Sequence, residues 1–260
     1  MACPVELPSH AQSNPNSRLN TRATLGGQVI PIQGDVGSKE GCAKLVEQIS
    51  QSESRIDLLV NSAGLPGAIN YPAWNPQDPN AVEKGLWESV DDDYFTATNN
   101  VNINGIYFTT VGFLPLLRKS PAPSVIVIAS LAGLANQRAM GTIGHAVSKA
   151  SIHLSKLLAG RFHEIRIRVN FILPGIFPSE MTTTDSTSSH DTLNAFAVKA
   201  AKRCSAGRAG NPEEIVGPCL MLSARAGGYM NGTVVIIEGG RSMGTSINDG
   251  LRMPDDTYVN

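Results

Sequence analysis

The stretch "SVIVIAS", Ser124–Ser130, sets four branched aliphatic residues in a row between two serines. A run this short and this uniformly apolar has no polar face for solvent, so it reads as a strand covered on both sides, as strands of a parallel sheet between helices are. Similar runs recur along the chain. "IDLLVNSAG" at 56–64, "IRVNFILPG" at 167–175 and "TVVIIEGG" at 233–240 read the same way, and Val29–Ile32 in "GQVIPIQGDV" reads as a shorter strand ahead of them. Helical patterns fill the gaps. Ser38 caps "KEGCAKLVEQIS", whose Cys42, Leu45, Val46 and Ile49 form one stripe. In "NPEEIVGPCLMLSA" Asn211 is the cap, Pro212 the first helical residue and Glu214 the return half of a capping box. A long helix is expected through "DDDYFTATNNVNINGIYFTTVGFLPLLRK", 91–119, and another in "TIGHAVSKASIHLSKLL", 142–158. The Pro- and Asn-rich "LPGAINYPAWNPQDPNAVEKGLW", 65–87, is expected to be irregular. Strands alternating with helices imply a parallel sheet with helices on both faces.

Composition narrows the function classes. The 260 residues carry 21 basic and 22 acidic side chains, a net charge of -1, with no basic block to follow a phosphate backbone. Nucleic acid is therefore not an expected partner. No run approaches the roughly 18 apolar residues of a spanning helix, and the N-terminus shows no apolar core of a signal peptide. Four cysteines lie far apart without metal-ligand spacing, so no metal site is expected and the location read is cytoplasmic. The organisation expected is an irregular arm over 1–27, one domain over 28–241 and a tail over 242–260.

Taken together, "DLLVNSAG", "VNINGIYFTT", "SVIVIASLAG", the helix with Lys149, "RVNFILPGIFPSEMT" and "GRAGNPEEIVGPCLMLSARAGGYMNGTVVIIEGG" resemble the short-chain dehydrogenase/reductase family, in order and over about residues 28 to 241. The resemblance implies a Rossmann-like doubly wound α/β fold, a nicotinamide cofactor and an Asn-Ser-Tyr-Lys tetrad. Carried over by position, Asn102, Ser130 and Lys149 match three of the four. The fourth, the family's proton-donating tyrosine, is occupied by His145. Asp35 matches the position that contacts adenine; Asn61, Ala63 and Gly64 belong to "NSAG", and Pro174 and Gly175 to the "PG" turn, the remaining cofactor contacts. Other readings stay open: "NSAG" also holds the sheet together, Asp35 also ends a strand, and Asn102 and Ser130 also serve helix and loop geometry.

A second departure lies at the front. The strand, Gly-rich turn and helix that cradle a pyrophosphate have no match, and "GQVIPIQGDV" aligns with the family's third strand, so the fold is expected to lack the first βαβ segment. Both departures touch hydride transfer. The favoured expectation is accordingly a cofactor-independent enzyme using His145 for isomerisation, elimination or cyclisation of a carbonyl-bearing small molecule. Two other readings compete: an NAD(P)-dependent reductase with an incomplete front, and a non-catalytic binding or assembly protein. Partners expected are a small-molecule substrate and a second copy, as a homodimer or homotetramer formed through the outward apolar helix faces that the family commonly uses.

Overall fold

The computed structural model describes residues 28–66, 78–134, 143–149, 151–185 and 190–244. The arm over 1–27 and most of the tail lie outside them. Four strands form one parallel sheet in sequential order: β1 Leu58–Asn61, β2 Ser124–Ile128, β3 Arg168–Pro174 and β4 Val234–Ile237. Leu58 pairs with Ser124, Ser124 with Arg168, and Phe171 with Val234. This is the Rossmann-like arrangement expected, and all four of its strands fall on apolar runs that announced them.

Alternation along β2 and β3 sorts their side chains onto two faces. Val125, Val127, Val169, Phe171 and Leu173 share one core cluster, all fully buried. Against it pack α1 (Lys39–Ser52) through Leu45, Val46 and Ile49, and the segment Phe113–Leu117. Ile126 and Ile172 point the other way, onto Leu222 of α9 (Pro212–Ser223). Both helix starts carry the caps expected. Ser38 accepts the Gly41 N–H at 3.0 Å, and Glu214 accepts the Asn211 N–H at 2.7 Å.

Three expectations need correction. Val29–Ile32 is no strand: residues 28–33 form neither helix nor ladder, and Val29 and Ile30 stay 64% and 55% exposed. Apolar content does not make a strand without a neighbour to bond, and Pro31 removes one of the donors such a ladder needs. Second, the stretch read as irregular contains α2, Pro79–Glu88, started by Pro79 at its first position and by Asp78, whose carboxylate accepts the Asn80 N–H at 3.0 Å. Third, the long helix is broken into α3 (Asp92–Asn99), a π-helical turn (Asn100–Gly105), α4 (Ile106–Gly112) and α5 (Leu114–Leu117). The π turn falls where asparagines crowd, and it carries Asn102 inward. Beyond β2 come α6 (Ile143–Lys149), α7 (Ile152–Arg161) and, after β3, α8 (Ala195–Lys202). No helix among the described residues is long and apolar enough to cross a membrane.

Candidate active site

The carboxyl end of β1 runs into "NSAG" and Leu65, facing the π turn and α6. Leu65 is gripped at both of its backbone groups. Its N–H donates to Asn102 Oδ1 at 2.8 Å, and its carbonyl accepts from Asn102 Nδ2 at 3.0 Å. The same carbonyl lies 3.2 Å from His145 Nδ1. Asn102 Nδ2 also donates to Ser148 Oγ at 2.8 Å, and Ser148 Oγ donates to the His145 carbonyl at 2.8 Å. The π turn, the end of β1 and α6 are thus tied by one buried polar network, which is costly to leave partly satisfied and rigid when complete.

Lys149 stands beside this network. It is 6% exposed, and among the described residues no carboxylate or hydrogen-bond acceptor reaches its Nζ. A Cβ added to Gly64 would lie 3.0 Å from that Nζ and 3.1 Å from Asn102 Oδ1, so glycine lets the strand end approach the ammonium without pushing either group aside. Burial pulls the Lys149 pKa down to about 8. Burial likewise lowers the His145 pKa, the Lys149 charge adds to this, and the bond to the Leu65 carbonyl opposes it. His145 is therefore a neutral base at pH 7. Its helix is anchored from α3: the Tyr94 hydroxyl accepts the His145 backbone N–H at 3.2 Å, and a Cβ on Gly144 would overlap the Tyr94 ring.

The other expected residues are distributed less closely. Ser130 caps the short turn Leu131–Gly133, its Oγ accepting the Ala132 N–H at 3.1 Å, and that turn packs against α6. Asn61 Nδ2 donates to Thr110 Oγ1 at 3.0 Å, joining β1 to α4; Ala63 is exposed. Pro174 ends β3 opposite Ile237, and Gly175 N–H donates to the Ile237 carbonyl at 2.8 Å. Asp35 does not join the cluster: its carboxylate accepts the Gly37 N–H at 2.8 Å and the Ser38 hydroxyl at 3.4 Å, shaping the turn before α1. Sequence reasoning passed over Leu65, Ser148 and Tyr94. Ser148 was within reach, being three residues from His145 on one helix, whereas a backbone carbonyl and a tyrosine fifty residues away leave no local signal.

A family model described as enoyl-(acyl carrier protein) reductase matches residues 9–242, nine-tenths of the chain. The chain belongs to the short-chain dehydrogenase/reductase family. Among short-chain dehydrogenase/reductase relatives, the protein PhomF' of Diaporthe leptostromiformis is 32% identical over 222 residues, covering 83% of this chain and 75% of its own length. The rhamnolipids biosynthesis 3-oxoacyl-(acyl-carrier-protein) reductase of Pseudomonas aeruginosa is 33% identical, covering 85% of this chain and 79% of its own. The solved Pseudomonas aeruginosa RhlG/NADP active-site complex superposes with a TM-score of 0.66 at 30% identity, over 81% of this chain and 75% of that one. These findings overturn the expectation that no cofactor is used. The solved relative is an NADP complex and the relatives are reductases, so chemistry free of cofactor loses its footing, and isomerisation, elimination or cyclisation with it.

Proposed function

We propose that this chain is an NAD(P)-dependent oxidoreductase interconverting an alcohol and a carbonyl on a small molecule, with His145 in the place of the family's tyrosine. The observation that carries the reading is Lys149: a buried ammonium without an internal acceptor among the described residues, at the carboxyl end of a parallel strand. An ammonium so placed fits the hydroxyls of a ribose, and Gly64 fits the close backbone approach beside it. Lys149, Gly64 and the turn at Pro174 and Gly175 would hold the nicotinamide end of the dinucleotide. When bound, the nicotinamide supplies the hydride acceptor or donor.

The residues of the chain handle the proton. Ser130 orients the substrate oxygen, and neutral His145 takes the proton from an alcohol as the carbon is oxidised. In the reverse direction protonated His145 returns it to the carbonyl oxygen, and the adjacent Lys149 charge makes the imidazolium a stronger acid. Oxidation should accordingly rise with pH through the lowered pKa of His145, and reduction should rise as pH falls through it. The test follows NADPH consumption with 3-oxoacyl thioesters and NADP+ reduction with the corresponding 3-hydroxyacyl thioesters. A His145→Phe protein should lose about 10²–10⁴-fold in kcat, the scale of one acid-base group. Undiminished turnover in that variant, or product formed equally well without nucleotide, sinks the reading.

Assembly as a homodimer is part of the same proposal. Tyr107 of α4, Val147 of α6 and Leu157 of α7 are 42%, 53% and 53% exposed, large apolar side chains that an interface between two copies would cover. Light scattering at micromolar concentration should give twice the 27.5 kDa chain mass or more, and a stable monomer would count against it.

A further inference from the structure

A phenol has one oxygen to offer, whereas an imidazole has two nitrogens, so replacing tyrosine by His145 raises the question of which nitrogen works. This question rests on the reading that His145 moves the proton. The Leu65 carbonyl can only accept, so the ring nitrogen 3.2 Å from it, Nδ1, is the one that carries hydrogen. In the neutral ring the basic lone pair is then on Nε2. We infer that the Leu65 carbonyl holds His145 as the Nδ1–H tautomer, that Nε2 is the nitrogen exchanging the proton with substrate, and that Asn102 is the positioning residue for this arrangement.

Asn102 qualifies because it grips the acceptor and not the ring. Its carboxamide takes the Leu65 N–H and donates to the Leu65 carbonyl, at 2.8 and 3.0 Å, so the peptide planes on both sides of the Leu65 Cα are held and the carbonyl cannot turn away from His145 without breaking its bond to Asn102. Asn102 is in turn fixed: it is 1% exposed, and its second amide hydrogen goes to Ser148, whose hydroxyl is committed to the His145 carbonyl. Ring and main chain of one histidine are thereby referred to the same asparagine. A tautomer set by an outer partner is a common device for a reacting imidazole.

The experiment reads the tautomer directly, without substrate. Protein labelled with nitrogen-15 in its histidine rings is studied by NMR above the His145 pKa, and the His145 signals are assigned by their loss in His145→Phe. Wild type should show Nδ1 protonated and Nε2 bare; the opposite tautomer, or an even mixture, overturns the inference. Asn102→Ala should shift the tautomer ratio by about tenfold towards Nε2–H, and an unchanged ratio removes Asn102 from the positioning role. Should Asn102→Ala not fold, Ser148→Ala replaces it, with a smaller shift in the same direction expected and no shift counting against the network. Turnover of His145→Phe separately reports whether the ring reacts at all, so the two readings fail independently.

Discussion

Around Lys149 and His145, three elements meet in buried and part-buried hydrogen bonds of 2.8 to 3.2 Å, while at Asp35 an exposed carboxylate folds back onto its own turn. Both places are matched to the family's cofactor-and-substrate cleft by sequence position. One is assembled from β1, the π turn and α6 together; the other is a local loop. A site made by several elements retains its geometry for as long as the core does, whereas a site made by one loop depends on the strands that flank it. On the proposed reading the proton-handling end keeps its framework with histidine in the tyrosine's place, and the adenine end is the more altered one.

Four substitutions test that contrast, beginning with the largest effect. His145→Phe should abolish nearly all turnover by the factor stated above while leaving the folded-state spectrum unchanged. Next, Lys149 reports on burial. Its pKa stands at about 8 folded against 10.5 unfolded, so between those pH values the unfolded chain holds a proton that the folded protein has released. Stability contributed by this group therefore rises with pH across that window, and ~3 kcal/mol absent below pH 8 is recovered by its upper end. Denaturation of wild type minus Lys149→Met, followed from pH 7 to 10.5, should show that rise; a flat difference would mean that Lys149 is solvated.

A smaller effect is expected at Gly64. A methyl there presses on Lys149 Nζ at 3.0 Å, Asn102 Oδ1 at 3.1 Å and Met181 Cε at 3.3 Å, each of which must give by a few tenths of an ångström. NADPH affinity of Gly64→Ala, measured by fluorescence titration, should fall about tenfold, equivalent to ~1.4 kcal/mol. The smallest effect belongs to Asp35→Asn. Asparagine keeps the oxygen that accepts the Gly37 N–H and loses only the 3.4 Å contact from the Ser38 hydroxyl, so stability should fall by no more than ~0.5 kcal/mol and NADPH affinity should stay within about twofold. A large loss of affinity would return Asp35 to the nucleotide and erase the contrast between the two ends.

Legibility followed the same division. Strands β2 and β3 could be read because burial on both faces leaves a continuous apolar run, and the α1 and α9 caps because they use residues within four positions of each other. Val29–Ile32 shows the limit: its residues are as apolar as those of β4, yet strand formation depends on a bonded neighbour that no window of sequence contains. In α2 the Asp78–Pro79 start was legible, but the surrounding prolines and asparagines hid it. His145 and Lys149 could be paired by their four-residue spacing on one helix. Their chemistry could not be paired with Leu65, since a carbonyl supplied by the main chain has no letter of its own. Nor could the favoured cofactor-free reaction be judged from absent motifs alone; likeness to the reductases decided it.

Asn231 and Gly232 lie between β3 and β4. Asn231 Oδ1 accepts the Val169 N–H at 2.9 Å and Gly232 N–H donates to the Val169 carbonyl at 2.8 Å, so this Asn-Gly pair stands in for a strand residue at the head of the ladder. Asn-Gly is also the dipeptide most prone to spontaneous deamidation, in which the glycine nitrogen attacks the asparagine side chain. Here that nitrogen's hydrogen and the side-chain oxygen are both committed to β3. Ring closure, which expels ammonia and gives a succinimide that water opens to aspartate or isoaspartate, therefore needs the β3–β4 ladder to open first, and its rate should report local unfolding at this end of the sheet.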